Sequence, residues 1–145
     1  MRELTFSEIL PFWNKLWPER QSPIEPQSNM MLDGTYANNV DQPTWFYGLE
    51  DRDGAIVGVN SVHLCADGMF RSRGLWVEPQ CRALGFGRQL LAHGIQLARG
   101  ARGVWSFPRQ SSWFTYQAAG FILTTGWSQS ETSEANAYCA LYFNA

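Results

Sequence analysis

The sequence predicts a mixed α/β domain. Its single sheet is antiparallel at first, has a parallel strand pair in its middle and is flanked by helices. Three observations predict this. Residues 44–77 hold three β-rich runs joined by two Asp-Gly turns, the pattern of an antiparallel meander. Residues 87–98 switch to helical period. Val104-Trp105-Ser106-Phe107 then returns to strand character, and strand–helix–strand implies a right-handed crossover between parallel strands.

Taken in order, Glu3 to Trp17 reads as a short strand followed by a helix, with Pro11 disturbing the helical pattern. Pro18, Pro23 and Pro26 break regular structure over 18–43, where Asn29 to Tyr36 is expected to hold a short helix. So long an irregular segment in a small domain is often functional. Thr44–Leu49, Ala55–Leu64 and Met69–Val77 are the meander strands, turned at Asp53-Gly54 and Asp67-Gly68. Gly87, Leu90, Leu91, Gly94, Ile95 and Ala98 form one helical face. Gly94 costs about 1 kcal/mol against Ala inside a helix, so its expected use is to let the helix lie close to the sheet. Gly100 and Gly103 end that helix. Ser111 or Ser112 is expected to cap a second short helix that ends with Gly120 at its C′ position. Phe121–Thr125 and Tyr138–Phe143 are the last strands, joined by the polar stretch Gly126–Asn136.

The 145 residues favour one domain spanning 1–145, with 45% hydrophobic and 17% charged residues. That size buries a real core without staples. A net charge of −2 provides no basic field for nucleic acid. Cys65, Cys81 and Cys139 match neither a zinc spacing nor a disulfide framework, so reduced thiols and no metal are expected. The N-terminus carries Arg2, Glu3 and Glu8 without an apolar signal core, and no apolar run approaches a membrane span. A cytoplasmic protein with no membrane partner is the expectation.

The most informative stretch is Arg82-Ala83-Leu84-Gly85-Phe86-Gly87-Arg88, which joins the third strand to the helix. Two glycines let the chain turn tightly and approach a ligand. Unpaired N–H groups of the first helical turn, at the positive end of the helix dipole, then suit a phosphate. Arg82 and Arg88 add charge. Leu90 stands where a dinucleotide fingerprint needs a third glycine, and Gly-Lys-Ser/Thr is missing, so two other phosphate loops are set aside.

With Leu75-Trp76-Val77-Glu78-Pro79 upstream and Tyr116-Gln117-Ala118-Ala119-Gly120-Phe121 downstream, this loop resembles the GNAT acyltransferase superfamily over about residues 44–125. The resemblance implies a splayed parallel pair, Met69–Val77 beside Val104–Phe107, with acetyl-CoA as acyl donor. Backbone of Trp76 and Val77 would contact pantetheine, and Arg82 to Arg88 the pyrophosphate. Arg109 and Ser112 would add cofactor contacts, and Arg109 also has acceptor contact or plain solvent exposure open to it. A backbone N–H near Val77 would stabilise the carbonyl oxygen, and Tyr116 would be the general acid. The acceptor, a small-molecule or peptide amine, would enter from the other side, shaped by 18–43, with Trp13, Trp17, Tyr36 and Trp45 as candidate lining. The protein would act as a monomer or homodimer.

The chain departs from the family pattern in two places. Arg71 and Arg73 stand where members often carry an acidic residue that serves as base. Period two puts both on one face with Leu75 and Val77, and they are candidates to bind a carboxylate or phosphate on the acceptor. Arg109 stands where Asn is common. The base stays open among His63, Glu25, Asp33, Glu131 and Glu134, while Glu78 and His93 are expected at the surface. Two other readings remain: a catalytically silent acyl-CoA-binding module, and a nucleotide- or phosphate-binding α/β protein outside the family.

Overall fold

A computed structural model describes residues 1–129 and 134–143. Seven strands form one sheet in the order β1-β2-β3-β4-β5-β7-β6. They are β1 (Arg2–Leu4), β2 (Thr44–Glu50), β3 (Ile56–Leu64), β4 (Phe70–Val77), β5 (Gly103–Ser106), β6 (Ile122–Leu123) and β7 (Cys139–Tyr142). Every neighbouring pair is antiparallel except β4–β5. The predicted meander and the parallel pair are thus both present.

Helix α1 (Phe6–Leu16) begins at a capping box, in which the Thr5 side chain accepts from Glu8 N–H and the Glu8 side chain accepts from Thr5 N–H. The helix runs on through Pro11, since burying Ile9 and Trp13 outweighs one lost backbone bond. It packs on one face of the sheet with Leu4, Val59 and Trp76. Helices α2 (Phe86–Leu97) and α3 (Trp113–Ala118) cover the other face, around Tyr47, Val62, Leu90, Val104 and Tyr116. At Gly94 a Cβ would overlap the Tyr47 hydroxyl and lie 2.8 Å from Val62, so this glycine does bring α2 close to the sheet.

Two local expectations are corrected. Residues 29–36 form no helix; Met30 and Tyr36 pair as an isolated bridge around a tight turn at Gly34. Its turn is instead built by Asp33, whose side chain accepts from Thr35 N–H. Neither serine caps α3 with its hydroxyl: Ser112 has helical backbone and caps nothing, and Ser111 Oγ donates to Glu134. A 3-10 turn, Gln110–Ser112, leads into α3 instead. The other end is as expected. Gly120 (φ 107°) donates to Gln117 O and Phe121 to Tyr116 O, the two bonds of a Schellman stop.

The bulge in β4 governs the site. Ser61 faces Arg73, but Val59 faces Trp76, so β4 carries one extra residue. Gly74 supplies it at φ 80°, and Trp13 Nε1 donates to its carbonyl at 2.9 Å. A Cβ at Gly74 would overlap the Trp13 indole. Gly74→Ala is therefore expected to cost about 3 kcal/mol or more, from backbone strain and overpacking together. Urea unfolding would check it; an unchanged midpoint would refute the account.

Candidate active site

The site begins where β4 and β5 part. Their pairing holds at Phe70–Val104 and Arg71–Trp105 and goes no further. Just beyond, Ser106 Oγ donates to Ser72 O at 2.8 Å, a side-chain bridge at the last point of contact. From there β4 pairs, among the described residues, with β3 alone, and the strands bound a cleft. A cavity of about 460 Å³ fills it, lined by β4 residues 71–75, by 106–109, by Ser112 and Tyr116, and by the end of α1 with Glu19, Arg20, Glu25 and 27–30.

Along β4 the bulge rearranges the faces. Phe70 lies in the α2 core and Arg73 stacks on Trp13 and Trp17 of the α1 side. Beyond Gly74, Leu75 and Val77 pack with the α2 core and Trp76 with α1. The expected shared face of Arg71, Arg73, Leu75 and Val77 is thus corrected, because one inserted residue shifts the alternation by one. Arg71 and Arg73 stay together, now opposite Leu75 and Val77.

Arg73 is buried, and its Nη1 donates to Glu25 O at 2.7 Å, and to Pro26 O at 3.4 Å. Arg71 lies 4.8 Å over the Trp105 ring, and its Nε is sealed from water without a hydrogen-bond partner. Burial lowers the Arg71 pKa to about 10 and that of Arg73 to about 9, where Arg71 adds a further push. Both remain charged at neutral pH.

His63 faces Arg71 across β3–β4 and is fully buried, with neither ring nitrogen hydrogen-bonded to the described residues. Burial, then Arg71 and Arg73, drives its pKa to about 3. A neutral, enclosed imidazole does not fit a base for this cleft. Among the other candidates, Glu25 lines the cavity. Asp33 lines a second cavity with Tyr138. Glu134 holds Ser111. Glu131 lies outside the described residues. His93 is half-buried rather than at the surface, its ring edge-on to Tyr47 at 4.7 Å.

Tyr116 comes from α3 and is buried at the cavity. Burial raises its phenol well above the ordinary range, against the lowering pull of the Ser106 hydroxyl and of Arg71. The phenol is a proton donor at any working pH. Arg109 donates from Nη2 to Leu16 O at 3.1 Å and lies 3.9 Å from Glu19, so it braces the end of α1.

The glycine loop lies at the end of β4. Residues 79–84 form a 3-10 turn, Gly85 adopts φ 79° as N-cap, and α2 starts at Phe86. A Cβ on Gly85 would meet nothing within 4 Å, so this glycine is needed for its backbone angle and opens onto free space. Gly87 has a different use: its Cβ position lies 3.0 Å from Thr115, and it lets α3 approach α2. Arg82 turns back, with Nε donating to Val77 O at 3.0 Å. Arg88, Ala83 and Leu84 are exposed.

Ser106 and Ser72 are site residues that no motif in the sequence singles out, and Trp13, expected as pocket lining, instead lies in the core and holds the Gly74 carbonyl. A signal was present: Asn60, Ser61, His63, Ser72 and Ser106 are buried polar residues on three neighbouring strands of the sheet. Ordinary core strands do not carry so many.

Solved structures share this architecture. A Klebsiella pneumoniae protein described as an acyl-CoA N-acyltransferase is 16% identical, with a TM-score of 0.66 over 95% of this chain and 92% of its own. A Bacillus subtilis acetyltransferase solved with CoA is 18% identical, with a TM-score of 0.58 over 70% and 78%. A Staphylococcus aureus acetyltransferase of the GNAT family is 18% identical, with a TM-score of 0.57 over 68% and 67%. At these identities the likeness is one of fold, and the fold is that of the acyltransferases. Sequence goes further: the acetyltransferase (GNAT) domain matches residues 42–125, more than half of the chain, and the protein belongs to that family. No curated protein matches it in sequence. Among the described residues, no helix is long and apolar enough to cross a membrane.

Proposed function

We propose that this chain transfers an acetyl group from acetyl-CoA to a primary amine, releasing an amide and free CoA. The observation that carries the reading is the parting of β4 from β5 after Arg71–Trp105, with Tyr116 on the cleft that opens there. The chain's own residues fit the donor. Gly85 opens onto free space, and the first N–H groups of α2 have no helical acceptor, so the 82–88 loop suits a pyrophosphate. Acetyl-CoA supplies an activated acyl group as a thioester. In this reading backbone of Trp76 and Val77 holds the pantetheine arm, and a backbone N–H near Val77 polarises the carbonyl. Ser112 and Arg109 line the same cleft as further contacts. Tyr116 holds the proton for the departing sulfur. The acceptor, a small-molecule or peptide amine, enters from the side of 18–43. Three free cysteines agree with a cytoplasmic setting.

Thermal unfolding tests the donor site. Acetyl-CoA at 100 times its Kd stabilises by about 2.7 kcal/mol, or about 5–10 °C in Tm. Gly85→Glu is expected to abolish that rise, by strain at positive φ and by a carboxylate set against the pyrophosphate. A full rise in the variant would remove the loop from the site.

A second reading, a silent acyl-CoA sensor or assembly component, is favoured by one observation. His63 is closed off as a base, and Glu19, one of the two carboxylates on the cavity, lies beside Arg109. Release of free thiol in the presence of an amine separates the two readings.

A further inference from the structure

Buried cations are normally paired. Here two guanidiniums stand two residues apart on β4, and the ion pairs among the described residues involve neither of them. Their positions are not equivalent. Arg73 is engaged: it stacks on Trp13 and Trp17, and its Nη1 holds the carbonyls of Glu25 and Pro26. Its work is to pin segment 18–43 to the sheet. Arg71 makes no hydrogen bond to the described residues, lies over the Trp105 ring and lines the cavity that Tyr116 also lines. Its planar fork of five donors has no hydrogen-bond partner among the described residues. Four arginines and two carboxylates line this cavity, Arg20, Arg71, Arg73 and Arg109 against Glu19 and Glu25, so it favours an anion. One free fork suits a planar single charge, which it binds through two parallel hydrogen bonds.

We propose that the acceptor amine carries a carboxylate, and that Arg71 binds it as a fork inside the cleft while Arg73 holds the wall beside it. The substrate class is then amino acids or similar amine-bearing carboxylic acids. This rests on the acyltransferase reading, and its test is built to fail separately.

Calorimetry on the full chain, with and without CoA, would compare amino acids with their carboxamides and with aminoalkyl phosphonates. Carboxylates are expected to bind about 10–100-fold tighter than carboxamides, the range of a charge-assisted pair. Arg71→Gln should erase that ratio and leave the acetyl-CoA thermal shift unchanged. Should Arg71→Gln not fold, Arg71→Lys keeps the charge without the fork and should lose most of the ratio. Equal binding of carboxylate and carboxamide, no carboxylate binding at millimolar concentration, a ratio that survives in Arg71→Gln, or a preference for phosphonates would overturn the proposal. An absent acetyl-CoA shift would overturn the acyltransferase reading instead, because carboxylate binding is also read without CoA.

Discussion

Tyr116→Phe is expected to lower kcat about 10²–10⁴-fold and to leave acetyl-CoA binding nearly unchanged. The change removes one oxygen. The ring keeps its edge-to-face contact with Phe121 at 5.6 Å, and the Schellman stop after α3 uses backbone alone. Only the phenol is lost, and the proposed role needs that group. Burial holds it protonated, so it can give a proton but cannot serve as a base. The wild-type profile of kcat against pH should therefore show no limb from Tyr116 through the neutral range. Steady-state kinetics with saturating acetyl-CoA would decide. A kcat within about twofold of wild type would remove Tyr116 from the chemistry, since general-acid loss is rarely that small.

The second large effect is on stability. The His63 pKa is about 3 in the folded chain against an ordinary 6.5, because burial and then Arg71 and Arg73 oppose its charge. Between those values the unfolded chain binds a proton that the folded chain refuses. Stability from this group is complete above about pH 6.5 and is lost as pH falls toward 3, by about 1.4 kcal/mol per pH unit. His63→Leu keeps an apolar body and removes the titration. Denaturant unfolding from pH 6.5 to 4.5 should show a steep limb in the wild type and a flatter one in the variant. That window lies above the range where exposed carboxylates take up most of their protons. Equal slopes would show that His63 gains a partner the structure does not give it.

Much of the fold was legible in the chain. The Asp53-Gly54 and Asp67-Gly68 turns, the strands around them and the helix after Gly85 all lie close to where local pattern put them. Local rules failed where one interaction was replaced by another. Ser112 has the chemistry of a cap, yet its backbone is already helical and no hydroxyl bond forms. The pattern of Asn29 to Tyr36 predicts a helix, but the Met30–Tyr36 bridge and an Asp33 turn fold it back on itself instead. Near the candidate site, the tight turn at Gly85 and the helix that carries Tyr116 were readable, because both depend on short spacings.

Sequence alone determined what depends on neighbours along the chain: the meander, the crossover helix, the positive-φ loop at Gly85 and the family these define. Tertiary structure decided what depends on distant partners. Trp13 meets Gly74 across 61 positions and locks the bulge that turns Leu75 and Val77 away from Arg71 and Arg73. Segment 18–43 brings the carbonyls of Glu25 and Pro26 onto Arg73, while Arg71 has no ion pair among the described residues. A period of two cannot foresee an inserted residue, and a list of charges cannot say which of them the fold will leave unpaired.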